Sequence, residues 1–262
     1  MESLESIITK ISSTHDTAMS NDSAIRLSLR ASAMFVGLVG IAWGGLEFPA
    51  LRQESTIKKI ADRILVGDVY KYDILLKQAS LVEPTQKPEL CRPLTVRSAA
   101  VIRLRLAEIS DNAALGPGPV RTNLAVDAIR ESLACSPADP FFWLALYALE
   151  PSAPLNYLTA SYRLGPNEGW IALKRNPVAF ANFDELPEDL RRIVVQEFVR
   201  IVEMETFGDA IKIFVGPAWD NRELILSQMD QVPLPQRQKF QEALAGAGYD
   251  VLVPGTRFDG PL

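Results

Sequence analysis

The chain has 262 residues, with 27 Lys+Arg against 32 Asp+Glu, one His and two Cys. A hydrophobic share of 48% and a charged share of 23% exclude collagenous, low-complexity and wholly disordered chains. The net charge of −5 excludes a protein whose main task is coating nucleic acid, because phosphate neutralisation needs a basic surplus. A single histidine, His15, removes most zinc sites, hydrolytic triads and haem ligation, so no metal or cofactor is expected.

Residues 1–25 are rich in Ser, Thr, Asp and Asn. Beyond a weak amphipathic stretch from Leu4 to Ile11, they read as a mobile cytoplasmic tail in which His15 is solvated. The segment 26–51 reads as a transmembrane anchor. Its centre, Ala31 to Leu46, is uncharged and makes a helix about 24 Å long, at about 1.5 Å per residue. That is short of a hydrocarbon core of about 30 Å. Leu27 and Leu29 extend it at one end, with Arg30 snorkelling, and Phe48 to Leu51 extend it at the other, so membrane lipid is the expected partner of residues 27–51. Gly40 and Gly44 offer a small face to another helix.

A buried core helix and a cleaved signal peptide are the other readings of this run. The first lacks the polar face of a surface helix, and the second requires a shorter n-region. Arg52, Lys58, Lys59 and Arg63 follow the span and by the positive-inside count favour a cytosolic C-terminal domain. A short N-terminal segment before a large domain favours the opposite orientation, since long domains translocate largely regardless of charge.

Residues 52–83 contain two linking helices, marked by Ile57, Ile60, Ala61, Ile64 and Leu65 and then by Tyr70, Ile74, Leu75 and Ala79. Pro84 to Pro93 reads as a loop. From 84 to 248 an all-α helical-hairpin domain is expected. Its helices cover Val96–Ser110, Thr122–Cys135, Asp139–Leu149, Pro154–Leu164, Gly169–Lys174, Leu190–Phe207, Asn221–Met229 and Leu234–Ala247, with Pro, Gly and capping Asp or Asn in the gaps. Ile211–Val215 and Val251–Val253 have strand-like composition but no partner, and are assigned to helix and to a C-terminal tail, 249–262.

An internal repeat lies in this domain. Ala125-x3-Ile129-x2-Ser132-Leu133-x3-Pro137 is followed by Trp143 and Leu146, and Leu158-x2-Ser161-Tyr162-x3-Pro166 repeats its end before Trp170. Small residues let two helices approach, large ones fill the groove, and the proline ends the helix so that Trp143 folds back over the hairpin. A plain helical bundle could show the same spacing. The pattern resembles the tetratricopeptide repeat over roughly residues 96–180. Together with the anchor it resembles bacterial single-span proteins that hold a helical-repeat domain outside the inner membrane. The segment Ser161–Phe180 is similar to one in alphaproteobacterial anchored proteins associated with exopolysaccharide or surface-polysaccharide production. The resemblance implies a periplasmic adaptor for another envelope protein, in polysaccharide assembly or export, and implies no catalytic residue.

Cys91 precedes one helix and Cys135 ends the next. In an antiparallel hairpin the two meet, and a disulfide there would be worth having only in an oxidising compartment. No phosphate-binding glycine loop, dinucleotide fingerprint, nucleophile elbow or Cys-x-x-Cys pair occurs. Gly116-Pro117-Gly118-Pro119 lacks the N–H donors of a phosphate cradle. Asp184, Glu185, Glu188 and Asp189 suit the start of a helix.

Arg163, Asn167, Glu168, Trp170, Lys174 and Arg175, around the Pro166 turn, form the candidate binding surface. The competing account puts Trp170 in the core and the basic pair at a helix end. The expected function is thus a membrane-anchored, non-enzymatic adaptor. An envelope enzyme or glycan-binding protein without a recognisable motif, or a cytosol-facing anchored regulator, are the alternatives.

Overall fold

The computed structural model describes residues 4–81, 91–109, 118–150 and 154–256, without the side chains of 4–27, 47–51, 53, 81 and 118–121. Among the described residues the chain is all-helical, with no strand. It divides into two compact units, Met1–Ile60 and Ala61–Leu262.

The first unit belongs to α1 (Leu4–Leu65), a helix of 62 residues. No Gly or Pro occurs before Gly37, so nothing local interrupts the ladder, and the segment expected to be a mobile tail is helical from Leu4 onward. The His15 side chain lies outside the described residues. Within α1, Ser28–Leu46 is 19 residues long with a mean hydropathy of 1.5 and is 0% buried. It is therefore long and apolar enough to cross a membrane, and it is not the core helix of this structure.

The second unit opens with the end of α1, from Ala61, and continues through α2 (Tyr72–Leu81), α3 (Pro93–Glu108), α4 (Gly118–Cys135), α5 (Pro140–Leu149), α6 (Leu155–Leu164), α7 (Gly169–Ala181), α8 (Glu188–Glu203), α9 (Phe207–Val215), α10 (Arg222–Ser227) and α11 (Leu234–Gly246). Pro93 and Pro140 open α3 and α5, positions where their missing N–H costs nothing. Asp139 caps α5 by accepting the Phe141 N–H at 3.1 Å. Most of the Pro84 to Pro93 stretch and Gly116-Pro117 fall outside the described residues, whereas Gly118 and Pro119 begin α4.

Neighbouring helices pack pairwise, α3 with α4, α5 with α6 and α7 with α8. On α4 the small residues Ala125 and Ser132 and the larger Ile129 and Leu133 are all buried. The Trp143 indole N–H donates to the Pro137 carbonyl at 2.8 Å and the ring lies 5.4 Å from Tyr157, so it folds back over the preceding turn. Cys91 and Cys135 are joined in a disulfide, with Cα atoms 5.8 Å apart. The bridge ties the start of α3 to the last residue of α4 and makes that hairpin antiparallel.

Three expected boundaries differ by more than a turn. The helix expected over Gly169–Lys174 continues to Ala181, through Pro177, because the apolar stripe of Ile171, Ala172 and Ala179 keeps that face buried. The helix expected over Leu190–Phe207 ends at Glu203, and Glu205 adopts a left-handed φ of 59° before α9 starts. That turn is held by Thr206 Oγ1 donating to the Ile201 carbonyl at 2.9 Å and by Lys239 reaching Glu205 at 2.8 Å. The described part of the expected C-terminal tail is packed onto α11. There Val253 is fully buried, its N–H donates to Gln241 Oε1 at 2.9 Å, and Arg237 Nη1 donates to the Pro254 carbonyl at 2.7 Å. Ile211–Val215 is helical, as α9. Phe198, Phe214 and Phe240 join α8, α9 and α11, with ring centroids 6.0 to 6.3 Å apart.

The bridge spans 44 positions of sequence, a loop whose closure is worth about 4 kcal/mol on the chain-entropy scale. Cys135→Ser is expected to lower unfolding stability in urea by about that amount. An unchanged urea midpoint would show that the bridge constrains nothing.

Candidate functional site

The six residues around the Pro166 turn separate into three environments. At the tip, Arg163 and Asn167 are exposed. Arg200 of α8 reaches back to this turn, donating through Nη1 to the Pro166 carbonyl at 3.2 Å and to Asn167 Oδ1 at 3.4 Å.

Glu168 and Trp170 line a cleft of about 420 Å3, together with Pro93 and Leu94 of α3, Ser132 and Ser136, and the Arg97–Asp139 ion pair at 2.8 Å. The Trp170 ring rests on Phe141 with centroids 5.2 Å apart and is 37% exposed, so it is part wall and part surface. The cleft lies close to the Cys91–Cys135 bridge, since its lining includes Pro93, two positions after Cys91, and Ser136, next to Cys135.

Lys174 lines a second, more apolar cavity of about 380 Å3 bounded by the end of α1 and by α3, α5 and α7. Arg175, next in sequence, turns inward and is 0% exposed, which removes it from the expected surface. Burying a guanidinium is costly unless it is paired and hydrogen-bonded, and here both conditions are met. Its Nε donates to Glu197 Oε1 at 2.8 Å and its Nη2 to the same oxygen. Nη1 donates to the Ser161 carbonyl at 2.8 Å and Nη2 to the Gly165 carbonyl at 2.9 Å. The guanidinium also lies over the Tyr162 ring, 4.2 Å from its centroid.

Asn176 continues the cluster, donating to the Val194 carbonyl at 3.0 Å and to Glu197 Oε2 at 3.3 Å. The helix ladder at this point already lacks one donor, because Pro177 lies inside α7. Gly165, whose carbonyl serves Arg175, is required where it stands. A Cβ there would come within 2.6 Å of Pro140 Cγ, so α6 can end against α5 only with glycine at this position.

Glu197, Asn176 and Tyr162 were not among the residues expected at the site. The spacing contains a signal for Glu197, a carboxylate on the apolar stripe Val194, Phe198 and Ile201 of α8. Arg175 likewise sits on the stripe of Ile171, Ala172 and Ala179. Among the described residues no three His, Cys, Asp or Glu side chains gather as metal ligands would. Asp184 and Glu185 lie in a single 3-10 turn, and Glu188 and Asp189 in the first turn of α8, where the helix dipole favours them.

No protein-family model matches the chain, no curated protein is similar to it, and no solved structure matches it.

Burial pushes the Tyr162 hydroxyl well above its ordinary pKa of 10.0, and the Glu197 carboxylate adds to the shift while Arg175 opposes it. The hydroxyl lies beside Glu197 and Asn176 but makes no hydrogen bond of good geometry with a described residue. The folded state therefore holds this proton more tightly than the unfolded one, and stability present below pH 10 falls as the pH rises above it. Tyr162→Phe is expected to be close to neutral in stability at pH 7 and to flatten the alkaline decline, measured by urea unfolding between pH 8 and pH 11. Parallel pH profiles for the variant and the parent would count against this assignment.

Proposed function

We propose that the protein is a membrane-anchored adaptor. In this reading Ser28–Leu46 crosses the bacterial inner membrane once, and a tetratricopeptide-like array of hairpins binds another envelope protein. The observation that carries the reading is the Ser28–Leu46 segment, apolar and wholly unburied, in the same chain as a domain of paired helices. Apolar side chains left out of a core need another apolar solvent, and a bilayer supplies it. Hairpin arrays offer extended surfaces suited to partners. The exposed Pro166 turn and the Trp170 cleft are the surface assigned to the partner.

A periplasmic domain is favoured by the Cys91–Cys135 bridge, since disulfides persist in oxidising compartments. A role in polysaccharide assembly or export rests on the resemblance of Ser161–Phe180 alone. The cytosol-facing regulator keeps one observation in its favour, the basic residues Arg52, Lys58, Lys59 and Arg63 after the span.

Thiol mass-tagging in intact cells separates the two orientations. Labelling of Cys91 and Cys135 only after reduction is the expected result. Labelling without reduction once the membrane is opened would move the domain to the cytosol. N-terminal sequencing of the membrane-bound protein should find the residues before Ser28 retained, whereas cleavage after the apolar run would make it a leader. The glycan-binding alternative is tested by Trp170→Ala: intact partner capture with lost polysaccharide binding would overturn the adaptor.

A further inference from the structure

We propose that the cavity bounded by the end of α1, α3, α5 and α7 binds a free long-chain carboxylate, a single-chain anionic amphiphile. This goes beyond the adaptor reading and does not depend on it, because every lining residue lies within residues 61–262.

Size and surface specify the body of the ligand. Val101, Leu104, Leu144, Ala145, Leu149 and Val178 make the walls apolar. A volume of about 380 Å3 lies at the lower end of small-molecule pockets, which run from about 300 to 1,000 Å3.

Charge specifies the head. Four ionisable side chains reach the cavity: Asp68, Arg105, Glu108 and Lys174. Arg105 and Glu108 bind each other at 2.8 Å, and Asp68 lies 3.7 Å from Arg63. Lys174 makes no ion pair or hydrogen bond with any other described residue. Its neighbour Arg175 is committed to Glu197 inside the fold, so the two cations of this helix serve different ends. One uncompensated ammonium at the edge of an apolar cavity is complementary to an apolar body carrying a single carboxylate. A neutral lipid would leave Lys174 unpaired, and a cationic amphiphile would be repelled.

The test uses the full chain in lipid nanodiscs, with a diazirine-bearing dodecanoate as the probe and mass spectrometry to map the labelled peptides. Labelling is expected within residues 101–108 and 141–149. It should fall about tenfold in Lys174→Gln, a change at an exposed position, and fall similarly when the methyl ester of the probe replaces the acid. Ala148 is exposed at the cavity, so Ala148→Trp should block labelling without entering the core, with an unchanged melting temperature as the control. The proposal is overturned by labelling confined to residues 28–46, by equal labelling with acid and ester, by an unchanged Lys174→Gln, or by a diazirine phospholipid labelling the cavity as well as the free acid does.

Discussion

A guanidinium shut away from water must find its hydrogen bonds inside the protein, and Arg175 finds them on three elements at once. The Glu197 carboxylate comes from α8, the Ser161 carbonyl from α6, and the Gly165 carbonyl from the turn that leads to α7. Removing Glu197 alone would leave a buried charge without its counter-ion, a change that costs about 3 to 5 kcal/mol in comparable cases. An apolar pair of the same volume could be as stable, so the value of the pair lies less in net energy than in specificity. Two of the four contacts reach α8 and two reach α6 and its terminal turn, so the Arg175 side chain ties the position of α7 to both neighbours at once. Gly165 against Pro140 and the Arg200 contact to Pro166 lie at the same turn.

Around this polar centre the apolar packing is continuous. Phe180 meets Phe198, which meets Phe214 and Phe240, so the core runs from α7 through α8 to α9 and α11. At the other end of the domain the Cys91–Cys135 bridge supplies what a short hairpin core does not, a covalent closure of α3 on α4. The Trp170 cleft lies between these two devices, bordered by residues next to the bridge and by the start of α7. The separation of Lys174 from Arg175 has the same origin, since adjacent helical positions point about 100° apart and only one of them can face α8.

Helix content, most helix boundaries, the cysteine pairing and the fold-back of Trp143 were legible in the sequence, because each has a local physical mark: proline at a helix start, apolar spacing, an aspartate cap, small residues on one face. The end of α8 was not legible. Met204-Glu205-Thr206 contains neither Gly nor Pro, and the left-handed Glu205 is held by Lys239, 34 positions away. The helix over residues 4–25 is hidden in the sequence by a composition rich in Ser, Thr, Asp and Asn, although no Gly or Pro interrupts it. Charge alone puts Arg175 on the surface, whereas spacing puts it inside. Its position on the apolar stripe of α7, matched by Glu197 on that of α8, is the pattern of a buried pair. The long-range pairing itself, 22 positions apart, is visible only in the folded chain.

The most direct measurement of the central claim is amide hydrogen exchange on the full chain, comparing the parent with Glu197→Ala. If the buried pair ties α7 to both neighbours, protection should fall together across α6, α7 and α8, including residues around Ser161 and Gly165 that the substitution does not touch. Loss confined to the turn of α8 that carries residue 197, with α6 and α7 still fully protected, would contradict the account and leave Arg175 as a local contact only.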